Sequence, residues 1–302
     1  MTEAIARPKI VLSGFGSAGQ RHAMNALRLG CEVITYDPRQ MNAGLFDDVL
    51  DRSKDATHVV IASPPEFHYA QALASIDAGF PTLVEKPFTA TLDEARELVR
   101  RAEEKGVPLA SATQLRYLET ITKTYQGFRG NRLNSWIGRC VFGYDIRRWH
   151  SAGSPYTPRV GVLAEAGTHE IDLLCYLYGT ADFTVTNAGI ASHSTWGETE
   201  CMADFSLGVY DSRIRVSLDY TSPTYRRELT LSNGSQYLVW NLDPARDADM
   251  LIAASEAMMR DFLGNRLGEP GVPLASGEEA VSVLRILDDV RCLSPVDVEE
   301  PA

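Results

Sequence analysis

The chain has 302 residues, enough for two domains or one large one, and 44% of them are hydrophobic, an ordinary globular value. Its formal net charge of −11 argues against a nucleic acid partner, because nucleic acid binding needs a basic patch. Five scattered cysteines without a C-x-x-C pair indicate reduced thiols rather than a disulfide framework or a zinc site. No apolar run approaches the ~18 residues of a membrane span, and the N-terminus lacks the long apolar region of a signal peptide. We therefore expect a cytoplasmic protein with no membrane partner.

The first third of the chain opens with two short strands and a helix between them. Residues 9–13 are predicted as a buried strand, residues 18–29 as a helix and residues 31–36 as a second strand, which Asp37 follows. A glycine-rich loop connects the first strand to the helix. The loop consists of Gly14, Phe15, Gly16, Ser17, Ala18 and Gly19.

This arrangement is typical of a dinucleotide site. Gly14 allows a sharp turn, Gly16 lets a pyrophosphate approach bare backbone, and Gly19 lets the helix pack close to the strand. The phosphates would lie on the unpaired N–H groups of the helix N-terminus. Asp37 stands 18 residues after Gly19, near the spacing of a carboxylate that accepts from ribose hydroxyls and repels a 2′-phosphate. The pattern predicts NAD in preference to NADP; an ordinary glycine turn is the alternative.

The alternation of strands and helices continues to about residue 115. It predicts a parallel, doubly wound sheet, and hence an α/β Rossmann dinucleotide-binding domain over residues 1–115. Beyond it, strands follow one another, which predicts antiparallel pairing and an α+β domain over residues 116–276. We expect the helix near 277–292 to pack back on the first domain and residues 293–302 to form a loose tail.

Glu85-Lys86-Pro87 follows a predicted strand of the first domain. Ligands of open α/β sheets bind beyond the carboxyl ends of the strands, so we expect Lys86 to face the same crevice as the glycine loop. Pro87 disfavours helical geometry at Lys86. A loop ion pair between Glu85 and Lys86 is the alternative. His22 has no evident partner in the sequence and is assigned to packing or to the surface.

A further candidate group lies in the second domain. On a helix, Glu165, His169 and Asp172 stand at i, i+4 and i+7 and share one face. A carboxylate one turn from an imidazole can orient its tautomer and raise its basicity, which suits a general acid or base. A solvated polar face is the alternative. A zinc site is less well supported, because nothing clearly supplies further ligands, and we expect no metal.

These motifs together resemble the Gfo/Idh/MocA oxidoreductases, a family that includes glucose–fructose oxidoreductase and inositol dehydrogenase. The resemblance extends over most of the chain. It rests on the glycine loop at 14–19, on Ala62-Ser63-Pro64-Pro65 with His68, on Glu85-Lys86-Pro87, and on Gly167 with His169 and Asp172.

The resemblance implies that the second domain contains a large open, mainly antiparallel sheet, through which such proteins often form a homodimer or homotetramer. It also implies that Lys86 contacts the nicotinamide side and the reacting hydroxyl, and that His169 is the acid or base. Glu165 stands where the family more often has Asp, and Glu165 or Asp172 would orient His169. The implied cofactor contacts beyond the loop are Asp37, Ser63, Pro64, His68, Glu85, Lys86 and Gln114. The predicted substrate contacts are Arg116, Arg148, Trp149 and His150.

The sequence therefore predicts an NAD-dependent oxidoreductase that acts on a secondary alcohol or ketone of a sugar, cyclitol or sugar derivative. Two alternatives stay open at this point. Some members of the family hold NAD and cleave glycosides without net redox change, and others bind the nucleotide as non-catalytic regulators. The small-molecule substrate itself and the direction of the reaction do not follow from the residues.

Overall fold

The structure is a computed structural model that describes residues 7–37, 44–129, 136–147, 161–179, 181–193, 197–207, 212–233, 237–294 and 296–299. The chain divides into two compact units. Unit 1 comprises Met1–Leu118 and Leu251–Val281. Unit 2 comprises Glu119–Met250 and Ser282–Ala302.

The strands and helices are as follows. The strands are β1 (Lys9–Ser13), β2 (Glu32–Tyr36), β3 (His58–Ile61), β4 (Thr82–Val84), β5 (Leu109–Ser111), β6 (Ile137–Asp145), β7 (Thr184–His193), β8 (Gly197–Leu207), β9 (Ser212–Asp219), β10 (Thr221–Ser232), β11 (Tyr237–Asn241), β12 (Ala275–Ser276) and β13 (Val296–Glu299). The helices are α1 (Ser17–Arg28), α2 (Phe46–Arg52), α3 (His68–Asp77), α4 (Leu92–Lys105), α5 (Glu119–Arg129), α6 (Thr168–Tyr178), α7 (Ala248–Leu263) and α8 (Gly277–Leu293).

The sheet of unit 1 has the strand order β12-β5-β4-β3-β1-β2. All neighbouring strands are parallel except β12, which is antiparallel to β5. The apolar run at Val59, Val60 and Ile61 is completely buried, as a strand covered on both faces requires. The strand order reverses between β1 and β3, which is where doubly wound sheets bind ligands beyond their carboxyl edge. The predicted Rossmann fold is confirmed.

Residues 282–302 belong to unit 2, so most of the helix that was expected to pack on the first domain lies there, and the expected loose tail contains β13, which pairs with β7. Unit 1 in turn contains residues 251–281, which differs from the predicted boundary that left residues 251–276 in the second domain. The reason is hydrophobic burial. Met258, Met259 and Phe262 of α7 are buried in the same core as Ile10 and Leu12 of β1, and β12 extends the sheet at β5. Burial of apolar side chains against the first sheet therefore decides where this segment belongs, whatever its position along the chain.

Unit 2 is built on a seven-stranded sheet with the order β11-β10-β6-β9-β8-β7-β13. The β6–β9 and β7–β13 pairs are parallel, and the other pairs are antiparallel. Buried and exposed residues alternate along β9, so one face of this sheet packs on the unit and the other faces outward. The predicted second domain with a mainly antiparallel sheet is confirmed.

The helix that carries His169 packs on the buried face of this second sheet. A π-helical turn at Leu163–Gly167 leads into α6. Gly167 brings the turn close to the sheet, because a Cβ at this position would lie 3.1 Å from a methyl group of Leu218 on β9. No helix within the described ranges is long and apolar enough to cross a lipid bilayer.

Candidate functional site

The glycine loop has the backbone geometry that the sequence predicts. Gly14 has a φ of +87°, and its N–H donates to the carbonyl oxygen of Tyr36 over 2.7 Å. A Cβ at Gly14 would overlap the carbonyl group of Ala62, and one at Gly19 would overlap the carbonyl oxygen of Gly14. These two positions therefore require glycine for the turn and for the close approach of α1.

Gly16 differs from the other two loop glycines. It caps the N-terminus of α1, and no described atom lies within 4 Å of the position that its Cβ would take. The fold itself leaves room for a side chain here. Open space in front of a helix N-terminus, where backbone N–H groups lack intrahelical partners, suits a phosphate group. Ser17 is exposed and Ala18 is half-buried at the same helix end.

Asp37 lies beside the loop at the end of β2. Its side chain is buried, and its carboxylate accepts a hydrogen bond from the N–H of Phe15 over 3.3 Å. The carboxylate therefore fixes the second residue of the loop, in addition to the ribose contact that the sequence predicts. A negative charge at this place repels a 2′-phosphate.

The loop after β3 is held by hydrogen bonds within unit 1. The hydroxyls of Ser13 and Ser63 donate to the side-chain oxygen of Gln71 over 2.8 and 2.7 Å. The Ser63 side chain is thus directed to α3. Pro64 is half-buried and precedes the turn that opens α3. The sequence did not single out Gln71, whose role depends on two residues from separate strand ends.

His68 does not have the predicted role of a cofactor contact. It is 1% exposed, and its ring nitrogens Nδ1 and Nε2 each lie 2.8 Å from a carbonyl oxygen, of Pro87 and Ser63 respectively. Burial lowers the pKa of His68 and favours the neutral ring, which donates to one carbonyl oxygen at a time. His68 joins the loops after β3 and β4, so its contribution to a site is structural.

Glu85-Lys86-Pro87 follows β4 at the same sheet edge as the glycine loop, with a cis Lys86–Pro87 peptide bond. The Glu85 carboxylate is buried and accepts from Arg21 over 3.1 Å and from His22 over 2.8 Å. Burial alone would raise the pKa of Glu85, but the His22 hydrogen bond and the nearby cations lower it well below its usual range. Glu85 is thus directed to α1, while Lys86 is half-buried at the edge.

Gln114 and Arg116, a predicted cofactor contact and a predicted substrate contact, both follow β5 but lie in different surroundings. The side-chain oxygen of Gln114 is buried and has no hydrogen-bond partner among the residues that the structure describes. An orphaned acceptor of this kind suits an amide N–H donor, which is what the carboxamide of nicotinamide offers. Arg116 is 1% exposed and donates to Glu279 over 2.8 Å within unit 1. This ion pair gives Arg116 a structural role in place of the predicted substrate contact.

The candidate acid–base group of unit 2 is buried. Glu165, His169 and Asp172 are 7%, 6% and 2% exposed, which rules out the alternative of a solvated polar face. Tyr220 donates its hydroxyl to Glu165 over 3.0 Å. Glu165 lies in the π-helical turn that precedes His169, a feature that sequence spacing does not reveal. Among the described residues, no group of three His, Cys, Asp or Glu side chains could hold a metal ion.

A buried ion pair next to His169 does not follow from any local sequence pattern. Glu170 is 0% exposed and accepts from Arg227 of β10 over 2.8 Å and from the thiol of Cys140 on β6 over 3.0 Å. Burial would lower the pKa of Arg227, but the charge of Glu170 raises it above its usual value. Arg227 is therefore held as a cation beside Glu170. The predicted substrate residues Arg148, Trp149 and His150 lie outside the described residues.

The strand order, the glycine loop and the polar strand ends define the class as a dinucleotide-binding α/β protein with a second, sheet-containing unit. Residues 9–113 match the family described as "Oxidoreductase family, NAD-binding Rossmann fold". Inositol 2-dehydrogenase 1 of Saccharopolyspora erythraea is 28% identical over 220 residues, which cover 72% of this chain and 60% of that protein. Residues 9–113 thus carry the NAD-binding fold of the Gfo/Idh/MocA oxidoreductases, the family that the motifs predicted.

Solved structures share the fold over nearly the whole chain. The WlbA dehydrogenase from Bordetella pertussis, in complex with NADH and UDP-GlcNAcA, has a TM-score of 0.79 and 16% identity, and 95% of each chain is covered. GenD2 from gentamicin A biosynthesis, in complex with NAD, has a TM-score of 0.78 and 17% identity, covering 95% of this chain and 93% of that one. Matches to the first curated relatives span 39% to 62% of those proteins' length.

Proposed function

We propose that this protein is an NAD-dependent oxidoreductase that interconverts a secondary alcohol and a ketone of a sugar, cyclitol or sugar derivative. The observation that carries the proposal is the carboxyl edge of the first sheet. The open glycine loop, Lys86 and the orphaned oxygen of Gln114 all follow strands at that one edge. The names of the relatives, inositol and amino-sugar dehydrogenases among them, support the substrate class.

The residues of the first sheet edge would bind and orient the cofactor. Backbone N–H groups at the N-terminus of α1 would hold the pyrophosphate, with Gly16 leaving space for it. Asp37 would accept from the ribose hydroxyls, and Gln114 would accept from the carboxamide. When bound, NAD supplies a carbon that accepts or returns a hydride.

Two side chains would act on the substrate oxygen. Lys86 is a cation at the sheet edge that would polarise this oxygen and stabilise the negative charge that develops on it. His169 would take the hydroxyl proton during oxidation and return it during reduction. Glu165 or Asp172 would hold the imidazole in one tautomer, a role that suits buried carboxylates.

The second sheet offers a surface for self-association. Ile137 and Tyr237 are 72% and 71% exposed, and both pair laterally with Ser232, so they lie on one face. Val239 stands two residues after Tyr237 on β11, so it lies on the same face, and it is also exposed. We propose that two copies of the chain bury this face against each other as a homodimer, or within a homotetramer.

The experiment that tests the catalytic proposal is a screen of sugars and cyclitols with NAD and NADH, followed by the absorbance of NADH in both directions. With the best substrate, K86A and H169A should each lose about 10²-fold or more in kcat. K123A, which removes an exposed cation from α5, is the matched control and should keep wild-type activity.

The affinity for NAD separates catalysis from folding. Intrinsic fluorescence titration should give Kd values for K86A and H169A within about threefold of wild type, because neither change touches the phosphate-binding loop. Near-wild-type turnover in either variant would remove that residue from the mechanism. Release of a leaving group from the substrate without accumulation of NADH would contradict the proposed reaction and indicate glycoside cleavage instead.

A further inference from the structure

Glu85 is a buried carboxylate surrounded by three hydrogen-bond donors. Its Oε1 accepts from Arg21 over 3.1 Å and from Nε2 of His22 over 2.8 Å, and its Oε2 accepts from the backbone N–H of Lys86 over 3.1 Å. An ionised carboxylate only accepts hydrogen bonds, so all three neighbours must donate. Three donors from within unit 1 thus compensate the burial of this charge.

The three donors come from two elements with separate tasks in the proposed reaction. Arg21 and His22 belong to the second turn of α1, the helix that follows the glycine loop. Lys86 is the proposed catalytic cation. Glu85 thus connects the helix that would hold the pyrophosphate to the backbone that carries the Lys86 amine.

His22 shows that the connection is specific. Its side chain is 0% exposed, and its Nδ1 has no hydrogen-bond partner in the described part of the chain. Burying a half-satisfied imidazole costs free energy. The hydrogen bond between Nε2 of His22 and Glu85 offsets this cost, so the position of the ring depends on the carboxylate.

We propose that Glu85 is a positioning residue that fixes Lys86 relative to α1. This inference rests on the proposed function, in which Lys86 acts on the substrate oxygen. A buried ion pair is a weak source of stability, because desolvation offsets most of the attraction. Its hydrogen bonds nevertheless fix the positions of the groups that they join. A displacement of about 1 Å at a reacting group can lower the rate about 10²-fold.

The kinetic test compares E85Q and E85D with a matched control. E85Q keeps the shape of the side chain, but its NH₂ group is a donor and cannot accept from the neighbouring donors. E85D keeps the negative charge on a side chain that is one methylene shorter. We expect kcat to fall about tenfold or more in E85Q and less in E85D, with Kd for NAD within about threefold of wild type. D261N is the control, because Asp261 is also a buried carboxylate of unit 1 that accepts from a hydroxyl and a guanidinium.

A second readout does not depend on turnover. Trace acetic anhydride labels lysine amines, and mass spectrometry quantifies acetylation at Lys86 against exposed Lys123 of the same molecule. We expect E85Q to change the relative reactivity of Lys86 by about threefold or more, and D261N to leave it unchanged. If E85Q does not fold, E85D and H22F, which removes the Nε2 donor at similar volume, replace it in both measurements.

The outcomes separate this inference from the proposed function. Loss of kcat together with altered Lys86 labelling supports positioning by Glu85. If no substrate turns over in wild type while the labelling still changes, the proposed function fails and positioning stands. If E85Q matches D261N in both kcat and labelling, Glu85 is only structural and the inference is overturned.

Discussion

The backbone of Gly19 packs directly against the carbonyl oxygen of Gly14, and a Cβ at residue 19 would overlap that oxygen. The first turn of α1 is thereby held against the turn that leaves β1. Gly16, between them, has open space where its Cβ would be. Glycines of one loop thus serve two different needs, one of the fold and one of the ligand.

This difference predicts opposite effects of alanine at the two positions. G19A forces a methyl group into backbone and should destabilise unit 1 by about 1–3 kcal/mol, as overpacking does. G16A places its methyl group in open space, so the free energy of unfolding should change by less than about 1 kcal/mol. NAD binding to G16A should nevertheless weaken about tenfold or more, because the methyl group takes the space of the pyrophosphate.

Thermal unfolding and fluorescence titration with NAD measure the two effects separately. G30A is a poor comparison, because Gly30 has a positive φ that disfavours any side chain. G189A is the better control, since Gly189 lies in unit 2 and no atom of the described residues lies within 4 Å of the position its Cβ would take. A G16A protein that binds NAD as tightly as wild type would show that the phosphates lie elsewhere.

Asp37 is expected to determine the choice of nucleotide. D37S removes the carboxylate that would repel a 2′-phosphate, while its hydroxyl can still accept from the loop backbone. The ratio of Kd for NADPH to Kd for NADH should fall about tenfold or more, equivalent to about 1.4 kcal/mol. D47N removes an exposed charge from α2 and should leave the ratio unchanged. An unchanged ratio in D37S would mean that another residue contacts the ribose.

Local sequence patterns predicted the features that are built from neighbouring residues. The glycine loop is contiguous, and the geometry of its turn follows from the positions of three glycines. The parallel sheet follows from short apolar strands that alternate with helices. Thr91 and Glu94 are likewise only three residues apart, and they form a capping box at the start of α4 with both reciprocal hydrogen bonds present.

Contacts between residues distant in sequence could not be predicted in this way. His22 and Glu85 are 63 positions apart, and Glu170 and Arg227 are 57 apart. Nothing in either local pattern states which strand end or helix face the other residue will reach. For the same reason the predicted boundary left most of α7 outside unit 1, because the core that buries Met259 is formed by strands far earlier in the chain.

The Glu170–Arg227 pair predicts a large effect on the stability of unit 2. R227M leaves a buried carboxylate without its guanidinium and should cost about 3–5 kcal/mol, seen as a lower Tm by calorimetry. The double variant E170M/R227M removes both charges and should recover much of this loss. R226M changes an exposed neighbour on β10 and should have little effect. A double variant no more stable than R227M would mean that packing, rather than the unpaired charge, causes the loss.

Glu85 predicts a characteristic dependence of stability on pH. Its pKa in the folded state lies below its usual value because of His22, Arg21 and Lys86. A carboxyl group with a lowered pKa stabilises the fold fully above its unfolded-state pKa, about 4.3, and this contribution declines as pH falls further. The Tm difference between wild type and E85Q should therefore be constant from pH 7 to about 5.5 and shrink below about pH 4.3. Scanning calorimetry at each pH measures it, and a difference that grows as the solution is acidified would contradict the ionised, hydrogen-bonded state of Glu85.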